Sequence, residues 1–257
     1  MPPHRMREDD ARPPDASAPK RRRLLQALPA AVILGAAARA AAATTDLVLA
    51  CDTTLGPPLR AVARAYANVT GVTVNVFPTP PGLILPQLQR QVQNDIVMTQ
   101  PPTVAACVHA NLIAPDGFRG AWRNPLVVAA KRGAAPGPRM PIAASDPTPG
   151  SDMDGPAILG RLGMGNAATL GVIDTDTVAA LILNGTARTG LLHMTDIRAH
   201  PDLQIVRMVP PEIQPPIAYA AAITKLARRP DPARFLAFLL SPQATAVLAD
   251  NGLETVS

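Results

Sequence analysis

Motifs that could support catalysis or metal binding are scarce in this sequence. Gly163, Gly165 and Ala168 match a relaxed dinucleotide-binding fingerprint, but they follow a predicted helix rather than the strand that such a site requires. His193 and His200 have no cysteine or glutamate partner at zinc-ligand spacing. The Gly-x-Ser-x-Gly motif of serine hydrolases is also absent. The sequence therefore predicts no enzyme, no metal site and no cofactor.

The two cysteines leave their redox state open. Cys51 and Cys107 could form a disulfide in an oxidising compartment. Cys107 lies in an apolar, helix-like stretch, so two buried free thiols are an equally good interpretation.

Short apolar segments alternate with segments of helical periodicity, which favours an α/β fold with parallel sheets covered by helices on both faces. The predicted strands are Leu47–Cys51, Val72–Phe77, Asp95–Thr99, Pro125–Ala130, Ile142–Ala144, Gly190–Met194, Gln204–Val209 and Ile217–Ile223. The predicted helices are Pro57–Asn68, Gln87–Gln93, Thr103–Ile113, Met153–Leu162 and Thr177–Leu183, with two closing helices at Asp231-Pro232 and Ser241-Pro242, where a capping side chain precedes a proline.

The first 43 residues have the features of an export signal. Arg21, Arg22 and Arg23 precede two leucines, in a pattern similar to twin-arginine signals. An apolar run from Leu24 to Ala38 and alanine-rich cleavage sites follow. The run is short for a membrane span and is dominated by alanine. We therefore expect residues 1–43 to be removed on export to the periplasm.

Removal of this signal changes the charge of the protein. Residues 1–43 hold eight of the 24 basic residues and four of the 19 acidic residues, which leaves 16 and 15. The mature chain is then near +1, with no basic patch that carries interleaved aromatic residues. Nucleic acid is therefore not an expected partner.

Several segments resemble, in order, those of the periplasmic molybdate-binding proteins of ABC importers. The resemblance extends over nearly the whole mature chain. Its motifs are Asp52-Thr53-Thr54-Leu55, Thr70-Gly71-Val72-Thr73-Val74, Asn94-Asp95-Ile96-Val97-Met98-Thr99, Asn124-Pro125-Leu126-Val127-Val128, Asp146-Pro147, Gly190-Leu191-Leu192-His193-Met194-Thr195-Asp196, Pro216-Ile217-Ala218-Tyr219, and the closing helices around Phe235 and Ser241-Pro242-Gln243.

This resemblance implies a type II periplasmic-binding-protein fold, in which two doubly wound α/β lobes are joined by two chain crossings. The first lobe would comprise residues 44–123 and 218–257, and the second lobe residues 124–217. The crossings near Arg123-Asn124 and Pro216-Ile217 would form the hinge.

The resemblance also implies a function. The protein would be a monomer that binds a small oxyanion, with molybdate or tungstate as the first choice, and would deliver it to an ABC permease in the inner membrane. The alternatives are a binding protein of the same fold for phosphate or a small organic anion, or a periplasmic sensor without a transport role. Molybdate is an unprotonated dianion near neutral pH, so its site needs hydrogen-bond donors such as hydroxyls and helix N-termini.

The family's ligand-binding positions fall on five residues of this chain. They are Thr54, Thr79, Ser151, Thr175 and His193. His193 stands where the family has a tyrosine, which changes its reach and its response to pH.

Other departures from the family concern charge and backbone donors. The prolines around Thr79 remove backbone N–H groups. Asp152 and Asp154 would repel a dianion if they faced it, although they could instead accept a proton from hydrogen phosphate or act as turn and cap residues.

Overall fold

The computed structural model describes residues 46–134, 140–147, 153–165, 167–214, 218–228 and 232–256. The predicted export signal lies outside these residues. No helix within the described ranges is long and apolar enough to cross a membrane.

A six-stranded sheet is built from the two ends of the described chain. Its strands are β1 (Leu47–Asp52), β2 (Val74–Thr79), β3 (Ile96–Thr99), β4 (Ile113–Arg123), β10 (Ala218–Thr224) and β11 (Glu254–Thr255). The spatial order is β11-β4-β10-β3-β1-β2. Strands β2, β1 and β3 are parallel, whereas β10 runs antiparallel to both β3 and β4.

A five-stranded sheet is built from the middle of the chain. Its strands are β5 (Leu126–Lys131), β6 (Ile142–Ser145), β7 (Thr169–Val172), β8 (Thr189–His193) and β9 (Leu203–Met208), in the order β7-β6-β8-β5-β9. Strands β7, β6 and β8 are parallel, and β5 is antiparallel to both of its neighbours. Each sheet therefore has the expected parallel strands at its centre, but it is mixed, because β10 and β5 are antiparallel to their neighbours.

Within the described ranges, eight α-helices connect and cover these strands. They are α1 (Gly56–Thr70), α2 (Pro81–Gln89), α3 (Pro101–His109), α4 (Gly155–Arg161), α5 (Thr175–Leu183), α6 (Met194–Ala199), α7 (Pro232–Leu239) and α8 (Pro242–Asp250). Each sheet has a buried apolar cluster on both faces. In the six-stranded sheet, Leu49 and Cys51 point into one cluster, and Ala50 and Val97 into the other. This alternation explains why its central strands are apolar throughout.

Several elements differ from the sequence-based expectations. Helix α2 begins at Pro81, six residues before the predicted start, because Pro86 is accommodated inside the helix. The helix that the sequence predicts over Thr103–Ile113 is α3, which ends at His109. The long strand β4 then begins at Ile113. Strand β7 and helix α6 were not predicted.

Asn124 lies between β4 and β5, where the chain passes from one sheet to the other, and it bonds to the first turn of α6. Its side chain donates to the Thr195 hydroxyl (2.9 Å) and accepts from the Thr195 backbone N–H (3.3 Å). Met194 N–H donates to the carbonyl of Pro125 (2.8 Å). These bonds anchor the start of α6 where the chain leaves the six-stranded sheet. The second predicted crossing, Pro216-Ile217, lies outside the described residues.

The cysteines lie in separate apolar clusters and are free thiols. Cys51 and Cys107 are both fully buried. Since they belong to clusters on opposite faces of the six-stranded sheet, a disulfide between them would need a large rearrangement.

Candidate functional site

A cleft lies where the carboxyl ends of the parallel strands of the two sheets face each other. From the six-stranded sheet it is lined by residues that follow β1, β2 and β3, and from the five-stranded sheet by residues at the ends of β6, β7 and β8. Its volume is about 410 Å³. Carboxyl ends of parallel strands are the usual position of ligand sites in open α/β sheets.

Five cleft residues carry buried polar atoms that have no hydrogen-bond partner among the described residues. Three belong to the six-stranded sheet and its turn: Asp52, Thr54 and Tyr219. Two belong to the five-stranded sheet: Ser145 and His193. Buried polar atoms are nearly always hydrogen-bonded in folded proteins. Their concentration in one cleft is therefore typical of a ligand site.

Asp52 is the last residue of β1 and is 2% exposed. Its Oδ1 accepts a hydrogen bond from the Thr99 hydroxyl (2.5 Å). Its Oδ2 has no hydrogen-bond partner within the described part of the chain. Burial raises the pKa of Asp52 to about 7, against the opposing effect of hydrogen bonds from Thr99 and Gln100. Asp52 therefore changes charge close to neutral pH.

Tyr219 approaches the cleft from the start of β10. The side chain is 1% exposed, and it belongs to the apolar cluster that contains Trp122 and Phe235. Burial, together with the nearby charge of Asp52, raises the pKa of the Tyr219 hydroxyl. Tyr219 is therefore a neutral hydrogen-bond donor at physiological pH.

His193 is held at the end of β8 by the first turn of α6. Its backbone N–H donates to Oδ2 of Asp196 (2.8 Å), and its Nδ1 lies 3.4 Å from the same oxygen. Neither ring nitrogen of His193 has a hydrogen-bond partner among the described residues, so both are available to a ligand.

Helix starts also point toward the cleft. Thr54 lies in the 3-10 turn that leads into α1, and Thr175 is the first residue of α5. The Asp174 carboxylate accepts a hydrogen bond from the Thr177 N–H (2.7 Å), so it caps α5. Asp154 caps α4 in the same way, through the Ala157 N–H (2.9 Å). Asp154 therefore acts as a cap residue.

The sequence-derived site residues are distributed unevenly in the structure. Thr54, Thr175 and His193 line the cleft together. Thr79 is buried at the end of β2 and its hydroxyl donates to the carbonyl of Phe77 (3.2 Å), so it is not among the lining residues. Ser151 lies outside the described residues, as does Asp152.

Sequence reasoning missed three of the polar cleft residues: Asp52, Ser145 and Tyr219. The available signal was position, since Asp52 and Ser145 each end a buried apolar strand. A polar side chain at the carboxyl end of such a strand points to the edge where ligands bind.

Part of the cleft lining is apolar, and it comes from both sheets. Its apolar lining residues are Pro78, Pro80, Pro81, Leu83, Met153 and Ile173. No lysine or arginine occurs among the described residues that line the cleft. No group of three potential metal ligands occurs within the described ranges. The cleft thus offers hydroxyls, an amide, an imidazole, the carboxyl groups of Asp52, Asp146 and Asp174, and apolar contacts.

Two solved structures are similar to this chain in fold. The Azotobacter vinelandii periplasmic molybdate-binding protein has a TM-score of 0.66 and 17% identity, over 82% of this chain and 99% of that chain. PEB3 with bound L-phospholactate, a Campylobacter jejuni protein, has a TM-score of 0.65 and 15% identity, over 81% of this chain and 99% of that chain. The resemblance to molybdate-binding proteins is confirmed at the level of the fold.

Two comparisons concern the sequence. An aconitate isomerase from a Pseudomonas species is 25% identical over 219 residues, which is 77% of this chain and 83% of that protein. Residues 47–254 match the family of bacterial extracellular solute-binding proteins. That match spans every strand of both sheets up to the first residue of β11, so the chain belongs to the bacterial extracellular solute-binding protein family.

Proposed function

We propose that this protein captures a small anion between its two sheets in the periplasm and delivers it, as a monomer, to an ABC permease. The observation that carries this proposal is a set of five buried polar side chains, contributed by both sheets, whose polar atoms include some with no hydrogen-bond partner among the described residues. A ligand that bound all of them would hold the two sheets together, as ligand-induced closure requires.

The dimensions of the cleft favour a small organic anion as the ligand. A tetrahedral oxyanion has four oxygens, comparable to four water molecules, or roughly 120 Å³. The cleft is about 410 Å³, and both sheets contribute apolar residues to its lining. That volume lies within the usual range of sites for organic ligands. The L-phospholactate in PEB3 shows that a protein of this fold can accept a small organic acid.

Molybdate or tungstate is the second candidate ligand. The cleft presents the hydroxyls of Thr54, Ser145 and Tyr219, which suit an ion that can only accept hydrogen bonds. The molybdate-binding protein of the same fold supports this candidate.

A second function is isomerisation of an unsaturated carboxylic acid by proton transfer. The specific observation that favours it is Asp52, a buried cleft carboxyl with a pKa of about 7, because a general base works best when its pKa lies near the working pH. The aconitate isomerase relative makes aconitate the first substrate to test. Incubation with cis- or trans-aconitate, followed by proton NMR, would show interconversion if this function holds.

A thermal-shift series on residues 44–257 tests the capture of an anion. The panel contains molybdate, tungstate, sulfate, phosphate, and small mono-, di- and tricarboxylates. A ligand of the native state stabilises it by about 2.7 kcal/mol at a hundredfold excess over its Kd. We expect the largest shift from a carboxylate. A shift from molybdate and tungstate alone would establish the second ligand, and no shift from any anion would refute the proposal.

A further inference from the structure

Polar residues line the cleft where the inner strands of the two sheets end. In the six-stranded sheet, Asp52 ends β1, Gln100 follows β3 and Tyr219 lies near the start of β10. These strands are neighbours in the order β10-β3-β1, inside the sheet. In the five-stranded sheet, Ser145 and His193 end β6 and β8, which are also inner neighbours. The centre of the cleft is therefore polar.

Most of the apolar lining comes instead from the edge strands β2 and β7. Pro80, Pro81 and Leu83 come directly after β2, and Ile173 comes directly after β7. Leu83 is 52% exposed and Ile173 is 82% exposed. These four residues, the apolar margin of the cleft, lie next to solvent. A ligand bound at the polar centre could cover them only with a hydrocarbon part of its own, which would remove apolar surface from water.

The charged side chains of the lining limit how many negative charges a ligand can carry. Three carboxyl groups line the cleft, and no lysine or arginine occurs among the described residues that do so. Residues 148–152, which precede Met153 in the sequence, contain no lysine or arginine either. One carboxylate on a ligand can accept hydrogen bonds from the hydroxyls of Thr54, Ser145 and Tyr219.

A second carboxylate on the same ligand would meet different surroundings. At the apolar margin it would find no described cation, and Asp174, which directly follows Ile173, would repel it. It would also lose part of its hydration without a compensating donor. A hydrocarbon end is therefore favoured at the margin over a charged end.

We propose that the cleft selects a monocarboxylate with a hydrocarbon arm of several carbons over a dicarboxylate of the same length. The carboxylate binds at the polar centre, and the arm lies against the apolar margin. This inference rests on the proposed capture of a small anion and names the chemical class of that anion.

Acetate, butyrate, hexanoate and adipate test the proposal in calorimetric titrations of residues 44–257 at millimolar ligand. Affinity should rise by about twofold to fourfold for each methylene from acetate to hexanoate, because each methylene adds apolar contact. Adipate has the carbon chain of hexanoate but carries a carboxylate at each end. We expect hexanoate to bind more tightly than adipate by about tenfold or more.

A lysine at the apolar margin should reverse part of this preference. Leu83 lies on α2 and is half exposed, so Leu83→Lys can keep its ammonium group in solvent. The preference for hexanoate over adipate should fall by about fivefold or more, because the lysine attracts the second carboxylate. Leu240→Lys is the matched control, since Leu240 is 43% exposed and does not line the cleft. Its preference should equal that of the wild type.

Three results would overturn this inference: affinity that does not rise from acetate to hexanoate, equal affinities for hexanoate and adipate, or an unchanged preference in Leu83→Lys. Any of them leaves anion capture intact if another anion of the thermal-shift panel stabilises the folded protein. If neither these four probes nor any anion of the panel binds, the inference and the proposed function both fail.

Discussion

The Thr54 hydroxyl is buried in the cleft at the start of α1 and has no hydrogen-bond partner among the described residues. Thr54→Val replaces this hydroxyl by a methyl group of the same shape. We expect the stability of the ligand-free protein to stay the same or rise slightly, since no bond is lost. Ligand affinity should fall by about 1–3 kcal/mol, or about fivefold to a hundredfold. Calorimetric titration and thermal unfolding of the same variant would check both effects.

Asp52 gives a second prediction at the residue scale, on stability as a function of pH. Burial raises its pKa from 3.8 to about 7, so the folded state binds this proton more tightly than the unfolded chain. The free energy of unfolding should therefore fall as pH rises from about 4 to about 7, by about 4 kcal/mol at about 1.4 kcal/mol per pKa unit.

Asp52→Asn removes this titration. The variant should be more stable than the wild type at pH 8 and nearly equal to it at pH 4. Urea unfolding at both pH values would measure the difference. An equal effect of the substitution at the two pH values would show that Asp52 does not titrate differently in the folded protein.

Three of the five site residues predicted from the sequence line the cleft: Thr54, Thr175 and His193. They were predictable because each lies at the end of a strand or at the start of a helix, in a segment that the sequence pattern identifies. Asp52 and Ser145 also end buried strands and could have been found in this way, whereas Tyr219 could not. Tyr219 reaches the cleft through an antiparallel strand that pairs with β3, and this pairing joins positions about 120 residues apart in the chain. Local pattern carries no information about such a pairing.

At the scale of elements, helix α4 positions Ser145 by close packing against β6. A Cβ atom on Gly155 would lie 2.5 Å from the Ser145 carbonyl oxygen and 2.8 Å from the Ala144 Cβ. Gly155→Ala should therefore push α4 away from the strand, with a loss of stability of about 1–3 kcal/mol and weaker ligand binding.

Gly160→Ala in the same helix is the control for this prediction. A Cβ at Gly160 meets nothing within 4 Å, and alanine is favoured over glycine inside a helix by about 0.5–1 kcal/mol. This variant should be more stable than the wild type, as measured by thermal unfolding. If both alanine variants behaved alike, close packing at Gly155 would not be what positions the site.

The elements that sequence reasoning identified correctly are those with strong apolar patterns or clear caps. Helix α1 and the closing helix α8 are examples, since Gly71 and Gly252 end them in left-handed conformations. Strand β4 was missed because it contains Pro115, Gly117 and Gly120, which are typical of loops. Its pairing with β10 overrides these local preferences.

At the scale of the whole molecule, the two sheets should close over the ligand. Leu83 and Ile173 line opposite sides of the cleft and are 52% and 82% exposed. Their exposure is explained if closure buries them. Ile173→Ser should then leave the ligand-free stability unchanged and weaken binding by about 1–2 kcal/mol, from the apolar area that closure buries.

Val69→Ser provides the comparison for Ile173. Val69 is 63% exposed on α1 and does not line the cleft. Its substitution should change neither stability nor affinity in the same titrations. Equal effects of the two substitutions would argue against closure around Ile173.

The central claim is that both sheets bind the same small anion. The most direct test is calorimetric titration of variants that remove one cleft hydroxyl from each sheet. The titrant is the anion that gives the largest thermal shift, and the proteins are the wild type, Thr54→Val, Ser145→Ala and the double variant. Each single substitution should weaken binding, and the double variant should lose at least as much affinity as the two together, because each sheet contributes its own hydroxyl. Wild-type affinity in the double variant would place the ligand outside the cleft and contradict the proposed function.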